Sequence, residues 1–243
     1  MKSKTQNPNH TTLDGEARLD EYVLTHIDEE PEYLHRLWRA TNIHMLHGRM
    51  ASGHLQGRLL KMFVQMIKPV NVIEVGTFSG YSALCIAEGL AENDKCSRRD
   101  DVSADSASHP HLWTFEINDE QEPFTRKWLE QSPWSDYITF IIGDANVEAP
   151  EVAQGEPFFD LAFLDGDKRT YLDTYEALLP LMRKGGIILA DNTLWDGHVI
   201  DPDYDKDHQT KGIRTFNDAI TADPRVTKVM LPLRDGLTII RKL

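Results

Sequence analysis

Two stretches of the sequence place charged and amide side chains directly after apolar runs. "FLDGDKRTY" (163–171) carries Asp165, Asp167 and Lys168, and "ILADNTLWDG" (188–197) carries Asp191 and Asn192. Both runs read as strands, and neighbouring parallel strands would bring their ends together. Asp165, Asp191 and Asn192 would then present two carboxylates and an amide oxygen, a hard donor set suited to Mg²⁺, Ca²⁺ or Mn²⁺ rather than zinc. Three protein oxygens on an octahedral ion leave room for two adjacent substrate hydroxyls and one water. The plainer reading is that Asp191-Asn192 caps a turn.

A second group surrounds a glycine loop, "EVGTFSG" (74–80), with the spacing Glu74-x-Gly76-x-x-x-Gly80. A dinucleotide site favours Gly-x-Gly-x-x-Gly. Phe78 stands where the middle glycine would be, so a smaller nucleoside ligand fits better than a pyrophosphate. Glu116 ends the next apolar run, where a carboxylate can accept both ribose hydroxyls. "GDA" (143–145) ends the third, where Asp144 could accept an adenine amine beside the backbone of Ala145. Singly, each is as well explained as a turn residue; together they outline a nucleoside pocket.

The elements that must position these residues alternate. Strand-like runs occur at 70–76, 112–117, 138–143, 159–165 and 186–192, with helical patterns at 81–92, 122–132, 170–186 and 213–223 between and after them. Residues 226–243 read as a hairpin turned at Arg234-Asp235-Gly236. Asp20 to Thr41 reads as two helices split by Pro31, and an amphipathic helix covers the second part of 42–67. The paired glycines 185–186 look like a helix stop. This rhythm predicts an α/β domain with a mainly parallel seven-stranded sheet, a C-terminal antiparallel hairpin and helices on both faces. Residues 1–15 read as a loose tail, and 93–111, polar and rich in Ser and Asp, as an exposed inserted loop.

The chain has 243 residues, 40% of them hydrophobic, and a formal net charge of −13. That charge disfavours a non-specific polyanion binder. Two cysteines provide no disulfide framework or zinc spacing. No apolar run approaches the ~18 residues of a membrane helix, and the N-terminus lacks a signal core. A cytoplasmic protein without a membrane partner is expected.

"VIEVGTFSGYSAL", "TFEIND", "FLDGDKRTYLDTYE", "GGIILADNTLWDG" and "LPLRDGLTIIRK", in this order, resemble the cation-dependent O-methyltransferases of the caffeoyl-CoA type and their bacterial relatives, which are similar to catechol O-methyltransferase. The resemblance spans about 45–243. It implies a Rossmann-like fold with an N-terminal tail and helix (1–45) and a methyltransferase domain (46–243), S-adenosylmethionine as cofactor, and a homodimer. It places Glu74, Gly76, Tyr81 and Ser82 at the methionine end, Met50 and Ser52 beside the methionyl group and metal, Glu116 on the ribose, and Asp144 with Ala145 at the adenine. Asp165, Asp191 and Asn192 match the metal ligands, Asp165 also reaching the methionyl amine. Lys168 matches the general base, and Trp195 could wall an acceptor pocket.

The expected reaction is methylation of a hydroxyl on a small catechol-like or phenolic acceptor. The alternative is a tRNA hydroxyuridine, with Arg36, Arg39, Arg49, Arg58 and Lys61 on phosphates; the net charge and the lack of aromatic–basic interleaving speak against it. A dehydrogenase is disfavoured by the missing glycine pattern. A catalytically dead binding protein is disfavoured by the intact Asp165, Lys168, Asp191 and Asn192.

Overall fold

A computed structural model describes residues 18–100 and 109–243. The helical pair at the N-terminus is present: α1 (18–24) and α2 (Glu32–His44), which starts directly after Pro31. Then follow α3 (Gly53–Ile67), β1 (Asn71–Val75), α4 (Tyr81–Asp100), β2 (His111–Glu116), α5 (Glu122–Glu130) and β3 (Ile138–Ile142). The chain continues through α6 (Ala145–Val152), β4 (Phe159–Leu164), α7 (Tyr171–Leu178), β5 (Met182–Asp191), α8 (His208–Ala222), β6 (Val226–Leu231) and β7 (Leu237–Lys242).

The seven strands form one sheet in the order β3-β2-β1-β4-β5-β7-β6. Neighbours among β1 to β5 pair in parallel, and β7 runs antiparallel to both β5 and β6. The parallel strands are apolar on both faces because helices cover both. One cluster packs α6, α7 and α8 against the sheet through Ala149, Tyr175 and Phe216. The opposite cluster packs α2, α3 and α4 through Leu34, Leu37, Leu60 and Leu84.

Four elements differ from the sequence expectation. The helix read over 170–186 ends at Leu178, and β5 begins at Met182. Pro180 stops the helix, and the two glycines sit inside an irregular start of β5, where the register against β4 shifts and Gly185 adopts φ +83°. The helix read over 81–92 runs on to Asp100, so the first part of the expected loop 93–111 is helical. Its polar residues find partners there: Asn93 donates to the Val64 carbonyl at 2.9 Å and Tyr137 to Asp94 at 2.9 Å. Residues 101–108 of that stretch lie outside the described residues, as does the 1–15 tail. Helix α6 has no apolar periodicity to announce it and contains Pro150, but Asp144 caps its first turn through the Asn146 N–H at 2.9 Å. Helix α8 begins five residues early, because Asp207 accepts from the Thr210 N–H at 2.7 Å.

Inside the central strand β1 an acid breaks the apolar rule. Glu74 is fully buried, accepts a hydrogen bond from the Thr114 hydroxyl, and its Oε1 has no hydrogen-bond partner. Burial pushes its carboxyl up to about 8, which the nearby Ser82 and Thr114 hydroxyls oppose only in part. The folded chain therefore holds a proton that the unfolded chain releases near pH 4.5. Stability should fall as pH rises from about 5 to about 8 and then level off. Chemical denaturation across that range should show a shallower decline in Glu74→Gln than in the wild type.

Helix α8 crosses the turn after β4 at Gly212, where an added Cβ would lie 2.1 Å from the Lys168 carbonyl oxygen and 2.8 Å from the Arg169 Cα. Both neighbours are backbone and cannot swing aside. Gly212→Ala should cost about 1–3 kcal/mol in urea denaturation, the usual range for overpacking.

Candidate active site

The ends of the parallel strands share one edge of the sheet. Val75 pairs with Phe115 and Leu164, Glu116 with Ile142, and Leu164 with Ala190. The next residues along, Gly76, Asp165 and Asp191, thus emerge side by side, and a cavity of about 700 Å³ opens over them. That is ample for a nucleoside cofactor together with a small second substrate.

One end of the cavity is lined by Gly76, Phe78, Glu116, Gly143, Asp144 and Ala145. Gly76 adopts φ +97°, and a Cβ there would lie 2.5 Å from the Asp165 carbonyl oxygen. Only glycine lets the loop after β1 pass the end of β4. The next turn aims the Phe78 N–H at Glu116 Oε2 (2.8 Å), while the Asn118 N–H holds Glu116 Oε1 (2.9 Å). Each oxygen keeps a further lone pair for a ligand hydroxyl.

The other end is lined by Met50, Gln56, Asp165, Lys168, Asp191, Asn192, Trp195 and Arg234. Lys168 is buried and donates from Nζ to Asp165 Oδ1 at 2.8 Å and to the Tyr171 hydroxyl at 3.1 Å. Tyr171 in turn bonds the Leu164 and Asp191 carbonyls at 2.8 and 2.9 Å, tying together the ends of β4 and β5. Loss of solvent pushes the Asp165 carboxyl up to about 6; Lys168 counters this and the nearby Asp191 adds to it. Burial would strip the Lys168 proton, but the charge and hydrogen bond of Asp165 together with those of Tyr171 outweigh it and hold the ammonium above its ordinary range. Asp191 accepts from Gln56 at 2.6 Å and from the Asn192 N–H at 2.8 Å. Asn192 sits at φ +56° and directs its amide nitrogen to Asp235 at 3.3 Å.

Ten of the residues singled out from the sequence line this one cavity: Met50, Gly76, Glu116, Asp144, Ala145, Asp165, Lys168, Asp191, Asn192 and Trp195. Ser52, Glu74, Tyr81 and Ser82 do not. The Tyr81 hydroxyl donates to Glu30 from the segment before α2, and Ser52 contributes its backbone carbonyl to Arg234. Asp167 caps the turn after β4 and pairs with Arg169. The basic residues expected to form one stripe are divided. Arg58 is buried on Glu88 at 2.6 Å, Lys61 bridges Glu88 and Glu92, and only Arg36, Arg39 and Arg49 are exposed.

Sequence reasoning passed over Gln56, Gln209, Arg234 and Asp235, which also line the cavity. Gln209, at the start of α8, accepts from the Lys168 N–H at 3.1 Å, and Arg234 donates to Gln56 Oε1 at 2.5 Å. A signal existed for Gln56: it shares a four-residue spacing with Leu60 and Val64, the buried face of α3. Among the described residues no three His, Cys, Asp or Glu side chains are grouped to hold a metal.

The comparisons with known proteins agree with this architecture. A family model described as O-methyltransferase matches residues 25–243. Tricin synthase 1 of Oryza sativa subsp. japonica is 36% identical, with 99% of this chain and 94% of the rice protein covered. Caffeoyl-CoA O-methyltransferase of Stellaria longipes is 30% identical, covering 96% and 93%. The SAH-bound methyltransferase PaMTH1 of Podospora anserina superposes over 100% of both chains with a TM-score of 0.80 at 25% identity. The O-methyltransferase of Bacillus cereus shares the fold, with a TM-score of 0.75 over 93% of this chain and 97% of that one at 24% identity. With a family model matched over 25–243 and relatives of 30% identity and more covered over nearly their full length, the chain belongs to the caffeoyl-CoA O-methyltransferase-like family of class I S-adenosylmethionine-dependent O-methyltransferases.

Proposed function

We propose that this enzyme methylates a hydroxyl of a small catechol-like or phenolic acceptor, with a divalent cation, Mg²⁺ or else Ca²⁺ or Mn²⁺, held by Asp165, Asp191 and Asn192. The observation that carries this reading is a single cavity with carboxylates Glu116 and Asp144 at one end and the Asp165–Lys168–Asp191–Asn192 group at the other. The first end suits the adenosine of S-adenosylmethionine, with Glu116 on the ribose and Asp144 and Ala145 at the base. Gly76 lets the methionyl portion lie close to the strand ends.

The donor set fits a hard cation. Burial raises the Asp165 carboxyl and the neighbouring Asp191 charge adds to it, and Asn192 spends its amide nitrogen on Asp235, leaving the carbonyl oxygen available. When bound, such an ion orients adjacent hydroxyls and lowers the pKa of one of them. The chain's own residues do the rest. Trp195 and Met50 offer apolar surface for the acceptor ring. Lys168 Nζ is placed to receive the acceptor's proton; paired with Asp165 it is charged, so it works as a base only when that pull is weakened. The acceptor oxygen attacks the methyl carbon, the carbon–sulfur bond breaks, and its electron pair leaves sulfur as a neutral thioether. Alignment of oxygen, carbon and sulfur supplies most of the acceleration.

The relatives' printed names support a phenolic acceptor, a caffeoyl thioester in one and a tricin precursor by implication of the product named in another. A tRNA acceptor finds less support, since Arg58 and Lys61 are committed to Glu88. A homodimer is proposed from the family alone, and light scattering would test it.

Transfer from labelled S-adenosylmethionine to 3,4-dihydroxyphenyl acceptors should be abolished by EDTA and restored by Mg²⁺. Undiminished transfer in chelator would remove the cation from the mechanism, and label entering only hydroxyuridine tRNA would replace the acceptor. Lys168→Met should lower kcat by about 10²–10⁴-fold, the usual worth of a general base, with SAH affinity held by calorimetry. An unchanged kcat would rule Lys168 out as the base.

A further inference from the structure

Trp195 reaches the cavity wall from the segment joining β5 to α8. The start of that segment hangs on the turn before β7: the Leu194 and Trp195 N–H groups donate to the Asp235 carbonyl at 2.7 and 3.0 Å, and the Thr193 N–H to the Gly236 carbonyl at 3.1 Å. Trp195, Asp196 and Gly197 then take left-handed conformations in succession, with φ of 48°, 51° and 79°. A tryptophan seldom adopts that backbone unless its surroundings hold it there.

Beyond the kink, residues 198–205 form only short 3₁₀ turns, so their carbonyls need partners from elsewhere. One side chain on α8 supplies them. Arg214 donates from Nε to the Val199 carbonyl at 2.9 Å and from Nη2 to the His198 and Asp201 carbonyls at 2.9 and 2.8 Å. Its Nη1 bonds the Asp205 carboxylate at 2.6 Å. One turn along α8, Asn217 donates to the Thr193 carbonyl at 2.8 Å. Within the segment, His198 stacks on Tyr204 with ring centroids 3.5 Å apart. Arg214 is not among the cavity-lining residues.

We propose that Arg214 is a positioning residue for the methyl acceptor: its guanidinium fixes residues 198–205 to α8 and so keeps Trp195 at the cavity wall. The link to the acceptor rests on the reading above that the acceptor lies at the Trp195 end. The planar fork is what makes one side chain sufficient, since a lysine ammonium cannot address carbonyls in three directions of one plane.

The test compares the wild type with Arg214→Lys and Arg214→Gln in the full chain. Amide hydrogen exchange over 196–205 should quicken by about tenfold or more in both variants, with exchange in β1 and β4 unchanged. The KM for a 3,4-dihydroxyphenyl acceptor should rise by about tenfold while SAH affinity stays within about twofold, because the adenosine end is built from other elements. Unchanged exchange, or faster exchange with an unchanged KM, would overturn the proposal. So would a parallel loss of SAH affinity and thermal stability, which would mark Arg214 as a general structural residue. A wild type that methylates no phenol, with quickened exchange in the variants, would overturn the acceptor reading and keep the anchoring.

Discussion

The loop after β1 and the end of β4 pass so closely that position 76 has no room for a side chain: a Cβ would sit 2.5 Å from the Asp165 carbonyl oxygen. This contact joins the two halves of the cavity. On one side the β1 loop leads to Phe78, whose N–H orients Glu116. On the other, β4 delivers Asp165 and, three residues later, Lys168. A wider gap would part the Glu116–Asp144 end from the Asp165–Lys168–Asp191 end and leave two shallow depressions in place of one cleft. The contact is possible because parallel strands in register end together, and because a glycine tolerates φ near +97° without strain.

Around that contact the protein concentrates acidic groups that it stabilises only in part. Glu74 is buried with one oxygen unpaired, and Asp165 has a raised carboxyl beside Asp191. Compare another buried acid, Glu88, which binds both Arg58 and Lys61 and lies below its ordinary pKa. The difference is one of purpose in physical terms. A fully paired carboxylate has little left to offer a ligand, whereas Asp165 and Asp191 retain unfavourable repulsion that a cation at this edge would relieve. Lys168 relieves part of it, at the cost of keeping its own proton.

The fold was legible because the strands announce themselves as short apolar runs and because strand ends in a parallel sheet collect the polar residues that follow them. Glu116, Asp144, Asp165 and Asp191 all follow that rule and all line the cavity. Gln56, Gln209, Arg234 and Asp235 do not, since their placement depends on which distant elements become neighbours. The hairpin illustrates this: β7 enters the sheet between β5 and β6, so its first residue, Leu237, pairs with Asp191. That order carries the 234–236 turn to Asn192, and no local pattern encodes it. Tyr81 and Ser82 show the converse. Their proximity in sequence to the glycine loop suggests the cavity, but the first turns of α4 are buried on all sides, and Tyr81 reaches Glu30 in place of the cavity.

Helix α8 unites the remaining parts of the carboxylate end. Gln209 in its first turn receives the Lys168 N–H, Gly212 lies against the Lys168 carbonyl, and Arg214 and Asn217 grip the segment that carries Trp195. The amine and the aromatic wall are thereby fixed to one rigid element between Gln209 and Asn217. The Glu116–Asp144 end is fixed by β1, β2 and β3 and their loops instead. The cavity therefore divides along the β1–β4 seam into two mechanically separate supports. Changes along the inner face of α8 act on the Lys168–Trp195 half, and changes to the loops after β1 and β2 on the Glu116–Asp144 half. On the proposed reading, with the acceptor at the Trp195 end, such a division lets acceptor selectivity vary through one helix and one loop without rebuilding the site that must always hold the same cofactor.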